Sequence, residues 1–373
     1  MKDMHGIIFA YVSHPKLKEL TERRTAASIP FGGRYRCIDF MLSNMVNAGI
    51  NDVGVVMRES YQSLLDHLGS GKDWDLARKR GGLKILPPFG YAGPHRNVEF
   101  RGRMEALFGL ADYISRIRQE YVVLADGEVV ANLSLEEVLD AHIESGADIT
   151  CLCTPESSED CKEEAFYTLS DGGRISEITV GPNHGAPHSF ETMNIFVMSK
   201  QLLENLLGYC VARNLYHFNR DVLQAMKEKL KLCAYIFNGY CARLTSVADY
   251  FHHSMQILDP VVRSKLFLRS RGIHTKIRDE APTYYSPDSL GKNSLVADGC
   301  FIEGQVENSV LFRGVRVGKG AVVQNCVLMQ DTVVRSGARL SYVITDKEVT
   351  INENHMLVGH SAYPIAVSKG ASV

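Results

Sequence analysis

Val315-Arg316-Val317-Gly318-Lys319-Gly320-Ala321-Val322-Val323-Gln324-Asn325-Cys326-Val327-Leu328 decides the fold. Aliphatic residues recur every six positions, and the recurrence outlasts this stretch. Val322, Leu328, Val334 and Leu340 form one register; Val315, Ala321, Val327 and Val333 run beside it. Gly314, Gly318, Gly320 and Gly337 punctuate the turns. Such a period fits neither a helix of about 3.6 residues per turn nor a flat hairpin sheet. It is the signature of a hexapeptide parallel β-helix, in which each coil stacks its aliphatics on the coil below. The coils are expected from about Ser294 to about Ile351. A coil stack leaves sheet faces and an open end to be covered, which predicts association through it.

Upstream the pattern changes. Short, β-branched-rich apolar runs at 52–57, 121–125, 149–154, 193–198 and 233–237 read as strands buried on both faces. Helical patterns lie between them. In 132–146, Leu135, Val138, Leu139 and Ile143 share one face; Ser134 with Glu137 makes a capping box, and Gly146 a C-cap. Alternating strands and helices predict an α/β domain with a mostly parallel sheet. The Pro-containing polar segment 279–287 reads as a linker. The expected division is an α/β domain over 1–250, a connecting helix and linker over 251–290, and the β-helix over 291–373.

With 373 residues, 45% hydrophobic and 23% charged, the chain reads as an ordinary globular protein of two domains. A net charge of −2 gives no reason to expect nucleic acid or an anionic membrane as partner. No apolar run approaches the roughly 18–20 residues of a membrane span. The apolar start, Gly6-Ile7-Ile8-Phe9-Ala10, is too short for a signal peptide and reads as a first strand. The nine cysteines, among them Cys161, are scattered without zinc-type spacing, and Cys151 and Cys153 read as buried strand residues. A cytoplasmic location follows as an expectation.

Several motifs carry a family resemblance. They are Ile29-Pro30-Phe31-Gly32-Gly33-Arg34-Tyr35-Arg36, Ile38-Asp39-Phe40, Leu42-Ser43-Asn44, Trp74-Asp75-Leu76, Gly81-Gly82-Leu83 and Ile85-Leu86-Pro87-Pro88. Asn293 through Cys300 and Glu307 through Phe312 add two more in the coils. In this order, over essentially the whole chain, they resemble ADP-glucose pyrophosphorylase (glucose-1-phosphate adenylyltransferase). The resemblance implies a Rossmann-like, GT-A-like nucleotidyltransferase domain followed by a left-handed β-helix. It also implies a tetramer serving glycogen synthesis. That family joins glucose 1-phosphate to the AMP part of ATP. Such chemistry needs a backbone cradle for phosphates, cations, and carboxylates holding Mg²⁺.

The resemblance also shows where this chain departs. The family's Gly-Gly-x-Gly-Thr-Arg-Leu loop reads Tyr11-Val12-Ser13-His14-Pro15-Lys16-Leu17, with Tyr11, Val12 and His14 at the glycines and Lys16 at the arginine. Tyr and Val resist the φ > 0 such a loop needs, and Pro15 lacks an N–H. Ala26 stands for a phosphate-contacting lysine, and Val180-Gly181-Pro182 for Glu-Lys-Pro. Gly102-Arg103-Met104-Glu105 stands for Gly-Thr-Ala-Asp, and Thr192-Met193-Asn194 for Ser-Met-Gly. Of two metal-binding aspartates, the one in Gly-Asp-His is assigned to Asp126, and the other is replaced by Arg243. The expectation is a non-catalytic, regulatory-type subunit that assembles, as homo- or hetero-oligomer, with a catalytic pyrophosphorylase subunit. No cofactor is then expected; Mg²⁺ belongs only to the competing reading of an active enzyme with a divergent site. For that reading Asp249, at a helix start, is poorly placed as the missing carboxylate. A hexapeptide acyltransferase is disfavoured because no His occurs between Ser294 and Ile351.

Residual ligand-site candidates are Lys16, Gly32, Gly33, Arg34, Arg36, Gly102 and Asp126. Each has a plainer reading. Asp126 can cap or turn the chain at a strand end. Arg34 and Arg36 can pin the glycine turn or pair with Asp39. The Trp74 loop reads as packing against a neighbouring subunit, His252-His253 as helix surface, and Asp346-Lys347 as a surface ion pair.

Overall fold

The computed structural model describes residues 3–12, 14–58, 60–87, 100–155, 165–181 and 189–373. Ser13, Pro88, Cys161 and Pro182, named above, lie outside them.

The N-terminal half is built on a nine-stranded sheet. Met4–Phe9 lies parallel between Asp52–Val56 and Tyr121–Asp126, and Gly82–Leu86 extends the sheet in parallel beyond Asp52–Val56. In the other half Ser189–Ser199 runs antiparallel to Tyr121–Asp126, Ile149–Thr154 and Ala165–Leu169, and Leu232–Ile236 joins Ile149–Thr154 in parallel. The sheet is therefore mixed, less uniformly parallel than the strand–helix alternation suggests. The reversal happens at one long strand, Ser189–Ser199, of which the sequence pattern displays only the apolar second half. One apolar core covers each face. Ile8, Leu42, Val55 and Ile195 belong to the first; Phe9, Leu124, Phe196 and Leu206 belong to the second. The helix Leu135–Ser145 starts where its capping signals place it, with Ser134 Oγ accepting from the Glu137 N–H and Gly146 in the left-handed region. Cys151 and Cys153 are buried on their strand.

The C-terminal half is a left-handed parallel β-helix of three five-stranded sheets. Its inward residues repeat along each sheet: Ile302, Val317, Val334 and Ile351 on one, Val306, Val323, Leu340 and Leu357 on the next, Leu311, Leu328 and Thr345 on the third. Most coils are thus seventeen residues, as from Tyr285 to Ile302 and from Val306 to Val323; one early coil is fifteen, as from Ile302 to Val317, and the last, from Val343 to Ile365, is longer. A strict six-residue register consequently drifts. Val322 and Val333 are only part-buried, and their neighbours Val323 and Val334 fill the core. The β-helix also begins earlier than its expected bounds. The first coil opens with Tyr284–Tyr285, inside the segment read as a linker, and the last strand is Ile365–Val367.

The two halves meet in a third core. Val310, Val327 and Ile344, on the outer face of one β-helix sheet, pack with Phe312 and Met329 against Leu17, Phe31, Tyr250 and Phe251. The helix Val247–Gln256 is part of this junction, so the expected break at 250/251 falls within one packed element. Tyr250 Oη donates to the Pro30 carbonyl at 2.9 Å, fixing that helix to the Pro30–Phe31 strand. Asp249 accepts from Thr245 Oγ1 at 2.5 Å at the helix start.

Trp74 is buried within its own chain, its ring edge-on to His67 at 5.6 Å, while Lys72 and Asp75 of the same loop are exposed. His253 departs from the helix-surface reading: it is part-buried and lies 3.0 Å from both Tyr240 Oη and Gln256 Oε1, whereas His252 is exposed. Among the described residues no helix is long and apolar enough to cross a membrane.

Candidate functional site

In open α/β sheets the carboxyl ends of the parallel strands form the ligand crevice. Here Met4–Phe9 and Tyr121–Asp126 end side by side, and the Gly127 N–H donates to the Phe9 carbonyl at 2.8 Å. Beyond Phe9, Tyr11 packs edge-on to the rings of Phe9 at 6.0 Å and Phe100 at 5.2 Å. Burial raises its phenol pKa, so it remains a neutral packing group. The chain then turns through the short 3₁₀ segment Pro15–Leu20, whose Leu17 and Leu20 are buried in the junction core. Lys16 is exposed on this turn. A packed turn stands where a phosphate cradle would need open N–H groups. Ala26, in the turn Ala26–Ser28, is core.

Two ion pairs, one part-buried and one buried, occupy the strand ends. Arg103, at the first turn of Arg103–Phe108, donates from Nη2 to Asp126 Oδ1 at 2.6 Å, and its guanidinium lies over Phe9 at 4.9 Å and Phe196 at 5.3 Å. Gly102 makes that placement possible. A Cβ there would collide with the Tyr216 carbonyl, to which the Met104 N–H donates at 2.9 Å. Asp126 is thus an ion-pair member, which differs from both the capping and the metal reading.

Arg243 ends the strand Cys241–Arg243, which pairs with Val129–Ala131 and so stands opposite Val129. Its Nη1 donates to Glu191 Oε1 at 2.9 Å and to the Thr192 carbonyl at 3.1 Å. Glu191 and Thr192 precede a register shift in Ser189–Ser199, within which Asn194 adopts φ 54°. Asp126 and Glu191 are each only 2% exposed. Val180 closes the strand Ile175–Val180 and Gly181 follows it, both part-buried, with no cation or carboxylate of their own.

Glu128 is a carboxylate the sequence reading passed over. It is buried and lies 3.5 Å from His14. The signal was available, because Gly127-Glu128 keeps the glycine-then-acid order that the resemblance associates with the metal. Arg103 and Glu191 were likewise not assigned roles, although Arg103 stands where the resembled motif has a threonine. The donor set does not fit Mg²⁺. One carboxylate is bonded to a guanidinium, and a second guanidinium stands at the other ligand position, where it repels a cation. Among the described residues no group of three or more His, Cys, Asp or Glu gathers as metal ligands.

The remaining candidates lie elsewhere. Gly32 and Gly33, at φ 63° and 82°, form the hairpin tip between Pro30–Phe31 and Tyr35–Arg36. That tip abuts the β-helix, and a Cβ on Gly33 would stand 3.7 Å from the Leu311 carbonyl. Arg34 is exposed beside the Tyr35 ring. Arg36 donates from Nη1 to Ser63 O at 2.6 Å and Ser63 Oγ at 2.9 Å; its backbone N–H, not its guanidinium, reaches Asp39. Asp39 in turn holds His67 at 2.5 Å. These four belong to the domain junction and are not brought together with Asp126 or Arg243. Asp346, expected at the surface, is 2% exposed, and both its oxygens accept from Arg24 across the junction at 2.6 and 2.5 Å. The expected surface pair is therefore a buried interdomain one, with Arg24 and not Lys347 as its cation.

A mixed α/β sheet joined to a hexapeptide β-helix defines a class, and the comparisons agree with it. Residues 6–259 match the nucleotidyl transferase family and residues 286–363 the GlmU-like C-terminal hexapeptide family. The chain belongs to the nucleotidyl transferase family, in the group holding glycogen biosynthesis protein GlgD and glucose-1-phosphate adenylyltransferase. It is 37% identical to glycogen biosynthesis protein GlgD of Bacillus subtilis (strain 168), over 98% of this chain and 96% of that one. The GlgD protein of Geobacillus stearothermophilus is 38% identical over 86% of this chain and 82% of its own. Glucose-1-phosphate adenylyltransferase of the same organism is 35% identical over 83% and 80%.

Proposed function

We propose that this chain acts in glycogen biosynthesis as a non-catalytic, regulatory subunit that assembles with a catalytic glucose-1-phosphate adenylyltransferase. The observation that carries this reading is the two ion pairs at the strand ends, Arg103–Asp126 and Arg243–Glu191. Nucleotidyl transfer proceeds by positioning phosphates and neutralising their developing charge. Here Asp126 and Glu191 are each neutralised by a guanidinium of the same protein. Tyr11, Val12 and His14 stand at the glycine positions of the phosphate loop, and a 3₁₀ segment, Pro15–Leu20, follows directly. Likeness to proteins named GlgD over nearly the full chain favours the same role.

Assembly is supported by the open end of the β-helix. The first-coil strands Tyr284–Tyr285, Leu290–Lys292 and Leu295–Val296 pair on one side only. Tyr285, inward-facing on that coil, is 49% exposed. A regulatory subunit acts by preferring one state of its partner. We place the protein in the cytoplasm and expect a tetramer. The test is to mix the purified chain with an active homologue and measure ADP-glucose synthesis, alone and together. The reading requires no synthesis by this chain alone and altered kinetics of the mixture. Mg²⁺-dependent pyrophosphate release by this chain alone would overturn it.

A further inference from the structure

We propose that a hollow at one corner of the β-helix is a saccharide site, which takes the chain end of an α-1,4-linked glucan on the ring of Phe301. The hollow measures about 360 Å³, within the roughly 300–1,000 Å³ of small-molecule sites. It lies beside the sheet that carries Tyr284–Tyr285, Phe301–Ile302, Arg316–Val317 and Val333–Val334, and none of the strand-end residues lines it. Its room comes from two glycines. Gly299, Gly314, Asp331 and Glu348 take the same corner in successive coils, at φ 75°, 73°, 60° and 62°. Asp331 and Glu348 show that this corner admits a side chain, so Gly299 and Gly314 leave a space that the coil itself does not require. Two carboxylates lean into that space. A Cβ on Gly314 would collide with Asp331 Oδ1, and one on Gly299 would stand 3.1 Å from Glu280 Oε2.

The floor is aromatic. Phe301 points outward and is 46% exposed, with the half-exposed Tyr284 ring 6.1 Å away and the Arg316 guanidinium over it at 5.1 Å. Among the described residues, Glu280, Asp331 and Arg316 form no side-chain hydrogen bond or ion pair, although they line one hollow. Their mixed signs decide the ligand. Two carboxylates repel a phosphate, and the guanidinium already on the ring repels an ammonium. A neutral ligand escapes both, provided that it donates to carboxylates, accepts from a guanidinium and has an apolar face for the ring. A pyranose meets these terms: its hydroxyls donate and accept, and its C–H face packs on an aromatic ring. The choice of an α-glucan among saccharides rests on the role in glycogen biosynthesis proposed above. Bound in this way, the polymer end is held on the β-helix of the same assembly that makes its precursor.

The experiment is calorimetric titration of the full chain with maltoheptaose, with cellopentaose as the β-linked control. Maltoheptaose is expected to bind saturably, about tenfold tighter than cellopentaose, and with an affinity that added salt leaves unchanged because the ligand carries no charge. Phe301→Ala should weaken it about tenfold, and so should the double change Glu280→Gln with Asp331→Asn, in which Asn keeps the left-handed corner. Lys292→Ala, on a different sheet, should leave the affinity unchanged. No binding, binding that neither variant weakens, or displacement by glucose 1-phosphate would overturn the site. Equal affinity for the two oligosaccharides would overturn the choice of an α-glucan. The regulatory role is read separately, from the kinetics of a catalytic homologue. Altered kinetics without glucan binding would remove this site and leave that role standing.

Discussion

The Arg243 guanidinium stands 2.9 Å from the Glu191 carboxylate, both side chains almost wholly shielded from water. A charge so placed is tolerated only with its partner, because desolvating a lone ion costs more than the protein can easily supply.

Restoring an aspartate at this position therefore does not restore chemistry. Arg243→Asp sets a second carboxylate beside Glu191, while Asp126 remains bonded to Arg103. We expect no pyrophosphate release and a loss of about 3–5 kcal/mol of stability, the usual result of orphaning a buried ion. Urea unfolding of the variant, with a coupled pyrophosphate assay, checks both halves; a stable or active variant contradicts the pairing.

The junction pair behaves in the same way. Arg24→Ala leaves Asp346 buried with its main partner gone, and about 3–5 kcal/mol of stability goes with it. The double change Arg24→Met with Asp346→Leu should recover most of that loss, since an apolar pair needs no charge compensation. A double mutant as unstable as the single would mean that the guanidinium matters by its shape.

Acid sensitivity should trace to His5. It is 1% exposed, bonded to Tyr113 Oη at 2.8 Å, and burial is the main cause of a pKa lowered to about 4; Asp52 opposes the shift and Lys84 adds to it. The folded state binds fewer protons than the unfolded state between about 4 and 6.5, so stability rises with pH across that window and falls on acidification through it. The effect is on the order of 3 kcal/mol. His5→Gln should flatten that part of the stability–pH curve; an unchanged curve would assign the acid sensitivity to other groups.

Gly102 is fixed by space. At φ 178° its backbone suits any residue, yet a side chain meets the Tyr216 carbonyl. Gly102→Ala should cost about 1–3 kcal/mol, the usual range for overpacking, and displace Arg103 from Asp126. Thermal unfolding against Gly208→Ala, where a Cβ meets nothing within 4 Å, separates the clash from a general glycine effect.

Assembly is tested by light scattering of the chain alone and with a catalytic homologue. A stable complex should bury at least roughly 1,200 Å². Tyr285→Ser, at the open first coil, should weaken it. A monodisperse monomer under both conditions would leave the coil end without the proposed role.

Much of this architecture was legible in the sequence because hydrophobic period is a local property. The coil repeat and the cap at Ser134 both register within a few residues. The seventeen-residue coil was not legible, since a corner that drops one residue is invisible until strands are paired, as Val306 with Val323. The site was half legible. The absence of glycines around Tyr11 and the presence of Arg243 can be read directly, but the partners cannot. Arg103 and Asp126 are brought together only by the fold, as are Arg243 and Glu191, and Arg24 is separated from Asp346 by most of the chain. Long-range ion pairs leave no periodic trace. For the same reason Asp346 looked like a surface residue beside Lys347.

The two ion pairs at the strand ends also bear on ancestry and its reversibility. Each of the four residues is retained by the charge of its partner, so a single reversion meets a stability penalty before any catalytic gain can be selected. The site behaves as a ratchet. Dismantling both pairs at once requires coordinated changes on separate strands and a helix.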